Sequence, residues 1–177
     1  RESDSPELRI AALPVAAKLS PEAAAPLLAK LATQGNAEAQ RAAYQALGTL
    51  QLPAADKLLI AQLKKLNAGE IPAPAQLELL EALQQRSDPA IKQMLADRDA
   101  ALAASSDPLA PYRVALEGGN PRKGRDIFRS QPVMSCIRCH DAGFGGGDAG
   151  PNLVMVGARR TREYLLEAVV KPNAAIA

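Results

Sequence analysis

Between Ala39 and Leu50 the apolar side chains fall at Ala39, Ala42, Ala43, Ala46, Leu47 and Leu50, at steps of three or one. A chain turning once every ~3.6 residues gathers that set on one side, whereas a strand of period two scatters it over both faces. The stretch therefore has to be a helix that buries a stripe. The rest of the chain gives little scope for anything else. Hydrophobic residues make up 47% of the 177, yet aromatics are only 3% and tryptophan is absent. Alanine and leucine supply the packing, and both are strong helix formers. The predicted fold class is all-α.

The neighbouring segments repeat the pattern between proline, glycine and capping residues. Leu8, Ala12, Val15 and Leu19 keep a helical period, with Pro14 as an expected kink. Ser20-Pro21 has the chemistry of a helix start, followed by inward-facing Leu27, Leu28 and Leu31; Gln34-Gly35-Asn36 breaks that helix. Pro53 opens a helix with Leu59, Leu63 and Leu66 inward and Gly69 as its stop. A helix carrying Leu77, Leu80 and Leu83 follows Ile71-Pro72-Ala73-Pro74, and Ser87-Asp88-Pro89 starts one with Ile91, Leu95 and Leu102. Equivalent helices start near Pro6, Asn36 and Ala73, and near Ser20, Pro53 and Asp88. Spacings of about 30 to 37 residues suit an α-solenoid, in which each hairpin buries its stripe on the next. The region resembles a short, irregular array of HEAT-type repeats; a plain helical bundle has similar periodicity.

This helical part holds no cysteine or histidine. Glu78 and Glu81, three apart, read as a solvated face rather than as paired acids. Its inferred role is that of a spacer or docking surface. Pro108, Pro111 and then Gly118-Gly119-Asn120-Pro121 loosen the chain. The expected organisation is a repeat domain over 1–110, a linker over 111–120 and a small domain over 121–177. A net charge of +2 is too small to indicate a nucleic-acid partner, and no stretch approaches the ~20 apolar residues of a membrane span.

The small domain carries Cys136-Ile137-Arg138-Cys139-His140, which holds the only histidine and both cysteines of the chain. Two thiols three apart, followed directly by an imidazole, form the attachment pattern of a c-type haem. Each sulfur can join one vinyl group, and the histidine can ligate the iron. Other readings of the same residues are a zinc site, a thioredoxin-like redox pair and a structural disulfide. Zinc needs a fourth ligand from Asp141 or Asp148. The redox pair needs a βαβ setting, for which no strand pattern is present nearby. A disulfide at that spacing is strained and leaves His140 unexplained. A unit of some 60 residues is also small for stability on side-chain burial alone, and a porphyrin would add a large apolar core element.

Gly124-Arg125-Asp126-Ile127-Phe128 resembles the opening helix of class I c-type cytochromes, and Gly150-Pro151-Asn152-Leu153 resembles their segment after the haem site. From Gly118 onward the chain is similar to the haem-binding domain of large planctomycete- and verrucomicrobia-type cytochrome proteins, in which HEAT-like helices often come first. The nearest shared string is Thr161 to Glu167, then Pro172-Asn173 and Ile176. The resemblance implies a cytochrome c-like helical domain with covalent haem c. It implies that the Pro151 carbonyl meets the free imidazole nitrogen of His140, that Leu153 covers the haem and that Ile127 and Phe128 pack at its edge. Arg159 and Arg160 would lie near the propionates. Gly143, Gly145, Gly146 and Gly147 read as chain bending closely around the haem face. The sixth ligand in that family is a later methionine; here the candidates are Met134, Met94 and Met155, with Met155 the best placed.

The expected function is electron transfer from a fused or partner dehydrogenase. Arg122, Lys123, Arg125, Arg129 and Arg138 would steer an acidic redox partner. An open distal site would instead make the domain a small-ligand sensor or a peroxidase-like enzyme, and a third reading is a scaffold that the haem merely stabilises. No catalytic constellation is visible. Haem c attachment implies a periplasmic or otherwise exported protein. Arg1 to Ser5 is polar where a signal's apolar stretch would lie, so a processed start is expected. The resemblance places the ligand methionine in a later segment that does not occur before Ala177, so a truncated carboxyl end is expected as well.

Overall fold

The computed structural model describes residues 5–133 and 135–174. Every regular element among them is a helix, and the chain divides into two compact units between Gly118 and Gly119. Among the described residues no helix is long and apolar enough to cross a membrane.

The first unit contains α1 (Pro6–Leu19), α2 (Pro21–Gln34), α3 (Ala37–Thr49), α4 (Pro53–Asn67), α5 (Ala73–Gln84) and α6 (Pro89–Ala103). All but α3 carry proline in the first turn, where its missing N–H would have had no acceptor. Ser5, Asn36 and Asp88 cap α1, α3 and α6 by accepting from the N–H groups of Leu8, Ala39 and Ala90. Gly69 ends α4 at φ 75°, a conformation costly for a residue with a side chain. These are helical hairpins in a solenoid-like stack. α3 lies between α1 and α5, and α2 packs on α1, α3 and α4. Gly48 of α3 lets α5 approach closely, because a Cβ there would sit 2.9 Å from Ala82 Cα. The core is leucine and alanine, with Leu28, Leu47, Leu59, Leu63, Leu79 and Leu83 fully buried.

Three expected faces differ. In α2, Leu27 is 50% exposed, and the buried residues are Ala24, Leu28 and Ala32. In α1 the buried residues are Leu13 and Ala17, while Leu8, Ala12, Val15 and Leu19 are exposed. In α5, Glu78 is only 1% exposed, and Arg41 of α3 reaches it with Nη2 2.8 Å from Oε1. The solvated-face reading of Glu78 is thus corrected: a guanidinium from a helix 37 residues away makes the buried carboxylate tolerable.

Tyr44 of α3 is the largest fully buried side chain. Its hydroxyl lies 3.1 Å from the Ala32 carbonyl oxygen and 3.0 Å from Gln62 Oε1. One phenolic proton serves one acceptor at a time, and turning the Gln62 amide over would let its NH2 donate to the hydroxyl instead. Burial pushes the phenol up to about 12. Because the folded value is the higher one, this stabilisation is complete below the unfolded tyrosine's pKa of about 10 and is lost as pH rises through the folded value. Tyr44→Phe removes the hydroxyl's contacts with Ala32 and Gln62 and should lower stability at neutral pH by about 1–3 kcal/mol; with no phenol left to ionise, it should also flatten the alkaline decline. Denaturation midpoints measured between neutral and strongly alkaline pH check both effects.

A 3-10 helix over Ala110–Leu116 packs on α5 and α6, and Leu109 before it is buried. Gly118 lies against α5, where a Cβ would come 2.8 Å from Leu77 Cβ. Residues 111–118, expected as linker, are thus part of the first unit.

The second unit holds α7 (Pro121–Ser130), a 3-10 turn at Cys136–Arg138, α8 (Val156–Arg159) and α9 (Arg162–Val170). Asn120 caps α7 through the N–H groups of Arg122 and Lys123, and Thr161 caps α9 through that of Tyr164. Among its described residues not one side chain is fully buried. Capping and backbone bonds define its helices more than a core does.

Candidate functional site

α7 ends at Ser130, and the chain turns into the motif through Ser135, which takes a left-handed φ of 38°. That conformation is uncommon outside glycine, asparagine and aspartate. The Ser135 hydroxyl, within reach of the Gln131 and Pro132 carbonyl oxygens, secures the turn. Cys136 to Arg138 then form a single 3-10 turn. Cys139 and His140 both donate their N–H groups to the Cys136 carbonyl, at 3.2 and 3.0 Å. Cys136 is half-buried and Cys139 exposed, both as free thiols.

The segment from Asp141 to Leu153 folds back onto this turn. Gly147 N–H donates to Ile137 O at 2.8 Å, Gly150 N–H to Cys139 O at 2.7 Å and Leu153 N–H to Asp141 O at 2.7 Å. The Asp141 side chain accepts from Gly143 N–H at 2.8 Å and holds the first bend. Two of the loop glycines lie against the backbone of the motif. A Cβ at Gly146 would collide with the His140 carbonyl oxygen, and one at Gly147 with that of Arg138. They allow backbone to lie against backbone at the motif itself.

The His140 ring is fixed from two sides. Its Nδ1 is 2.8 Å from the Pro151 carbonyl oxygen, so the ring donates from Nδ1 and leaves Nε2 as the nitrogen with a free lone pair. Its face rests on Gly150, where a Cβ would lie 2.6 Å from Cε1 and 2.8 Å from Nδ1. No side chain larger than hydrogen fits there.

The other expected site residues are distributed around this centre. Leu153 is half-buried after Pro151. Phe128 of α7 meets Phe144 edge to face, with centroids 5.7 Å apart, and Arg125 and Arg129 lie over the Phe144 ring at 5.7 and 5.6 Å. Arg159 donates Nη2 to the Val154 carbonyl at 2.8 Å, and Arg160 lies 4.7 Å from the Tyr164 ring centroid. Both arginines thus have local partners. Met155 has a left-handed φ of 57° and is 69% exposed. Met94 packs on the core of the first unit. Met134 and Ile176 lie outside the described residues.

Three residues that position the site went unread in the sequence: Ser135, Asp141 as a loop brace, and Phe144. For the last there was a signal. The chain has just two phenylalanines, and both fall in this unit.

The donor chemistry bears on the rival readings. Among the described residues no group of three or more histidine, cysteine, aspartate or glutamate side chains converges as a metal site, which a tetrahedral zinc site requires. Nor does any described residue near the motif lie in a strand, as a thioredoxin-like setting would need. Two thiols on one turn beside an imidazole with a free Nε2 fit a ligand gripped at its periphery and ligated at its centre.

Among known families, that of HEAT repeats matches residues 1–76. No curated protein and no solved structure matches the chain.

Proposed function

We propose that residues 119–177 form a c-type cytochrome unit that carries electrons, with haem c held by thioether bonds from Cys136 and Cys139 and ligated by Nε2 of His140. The observation that supports this most directly is the seating of His140. Pro151 accepts from Nδ1 while Gly150 leaves the ring room, so Nε2 is the nitrogen presented for ligation. When bound, the haem supplies a one-electron iron couple. The chain's own residues do the rest. The Pro151 carbonyl fixes the imidazole and raises its basicity as a ligand. The two backbone bonds from Gly147 and Gly150 to Ile137 and Cys139 hold the loop against thiols and ring, and the bond from Leu153 to Asp141 closes the loop on itself. Leu153, Phe128 and Phe144 contribute apolar surface, and Arg125 and Arg129 add positive charge on α7.

The redox partner in this reading is a dehydrogenase, fused or docked, and the compartment is the periplasm or another exported location. The HEAT-like unit serves as the spacer or docking element. A second reading is a haem-based ligand sensor or peroxidase-like enzyme, with the distal position open to small ligands.

The test is the spectrum of the whole chain produced in a host that matures c-type cytochromes. The expected product is coloured, keeps its haem through a denaturing gel and gains the mass of one haem. Indifference of the reduced protein to carbon monoxide supports electron transfer, and rapid binding supports the second reading. Colourless protein with two titratable thiols overturns both.

A further inference from the structure

We infer that the cleft between the end of α4 and one face of α6 is a small-molecule site, which takes a singly charged carboxylate carrying an apolar body and anchors it on Arg98. The cleft has a volume of about 640 Å3, within the range of small-ligand pockets. Leu66 closes it on the α4 side and Gln76 at the start of α5, while Met94, Arg98 and Leu102 line it from α6 at steps of four. Leu66 is buried, and Met94 and Leu102 are half-buried, so apolar walls flank one cation.

Arg98 is what distinguishes this cleft. Two other arginines of the unit, Arg41 and Arg86, meet carboxylate oxygens at 2.8 and 2.6 Å. The Arg98 side chain lies between those two in exposure, at 15% against their 32% and 3%. Yet among the described residues it makes no hydrogen bond, and the carboxylate beside it, Asp99, stands 3.9 Å off and is 73% exposed. Asp97, which also lines the cleft, accepts from Gln93 Nε2 at 2.8 Å instead. Covering a charge without an opposite one costs stability, and proteins keep such local misfits where function needs them. The forked guanidinium matches a carboxylate in geometry and in charge. A dianion such as phosphate suits the cleft less, because one cation with Asp97 beside it cannot balance two negative charges. Leu66, Met94 and Leu102 then receive the rest of the ligand, which has to be apolar to gain from that contact.

Titration of the whole chain with octanoate tests this, with octan-1-ol as the uncharged probe of equal length. The expected result is saturable binding of octanoate, with a dissociation constant on the order of 1 mM or tighter and amide shifts along α6 and the end of α4. Octan-1-ol should bind about tenfold more weakly or worse. Arg98→Met should weaken octanoate by a similar factor and abolish its advantage over the alcohol. The same variant should leave the denaturation midpoint of the ligand-free chain unchanged or higher, since it removes a covered charge and breaks no hydrogen bond. Octanoate that fails to bind, that binds Arg98→Met equally well or that shifts amides elsewhere overturns the proposal, and so does an acidic protein that binds at Arg98 where octanoate does not. A lowered midpoint in Arg98→Met also overturns it, because Arg98 would then serve the fold.

Discussion

With Cys136 and Cys139 both replaced by alanine, the protein is expected to emerge without covalent haem, and α7 and α9 are expected to melt while α1 to α6 persist. The reason is how little of the second unit is buried. Not one described side chain there is fully covered, whereas the first unit encloses a continuous leucine–alanine core. A unit of some 60 residues gains little from burial even when well packed. On the proposed reading its largest apolar component is the ligand that the two sulfurs retain. Loss of colour should be complete. Hydrogen exchange should report near-random protection along α9 and native protection along α3. An alanine variant that keeps protected amides in α9 would remove the ligand from any part in stability and leave the caps and loop bonds to account for the fold.

Arg86→Met should be the most damaging single substitution in the first unit, lowering its stability by about 3–5 kcal/mol. Arg86 is only 6% exposed. Its Nε donates to Asp56 Oδ1 at 2.6 Å, and its Nη1 to the carbonyl oxygens of Leu50 at 2.7 Å and Gly48 at 3.3 Å. These carbonyls stand at the end of α3, beyond the helix's own donors, and Leu50 O also accepts from the Leu52 N–H at 2.9 Å. One planar guanidinium thus closes the end of α3 and neutralises a carboxylate in the first turn of α4. Methionine fills the volume and provides none of these bonds, so a half-buried charge and the Gly48 carbonyl lose this partner together, and the Leu50 carbonyl keeps the Leu52 N–H alone. Asp56→Asn should cost less, since an amide oxygen still accepts from Nε. Denaturant midpoints at unchanged slope separate the two variants.

Where each helix of the first unit starts was readable because the determinants are local. Proline in the first turn and Ser5, Asn36 or Asp88 at the cap act within three residues of themselves. Which side of a helix faces inward is decided at long range. α1 carries two apolar stripes, and the one with the cleaner period, Leu8 to Leu19, is the one left exposed. Glu78 looked solvated because Arg41 is 37 positions away, and Arg86 drew no notice because Asp56 and the end of α3 are 30 or more positions off. The site divides the same way. The motif is five consecutive residues and is plain in the sequence. The crowding of Gly146, Gly147 and Gly150 against it is not, because spacing alone does not say what a loop folds back upon.

That fold-back limits how the protein can be altered. Thirteen positions, Asp141 to Leu153, are tied to the turn at intervals along their length, and at three of them a side chain has no space. Adding or deleting even one residue there would slide every later tether out of register and carry Pro151 away from the imidazole. A reporter group or affinity tag is better grafted elsewhere, and homologues that vary the length of this segment would need another means of orienting the ring.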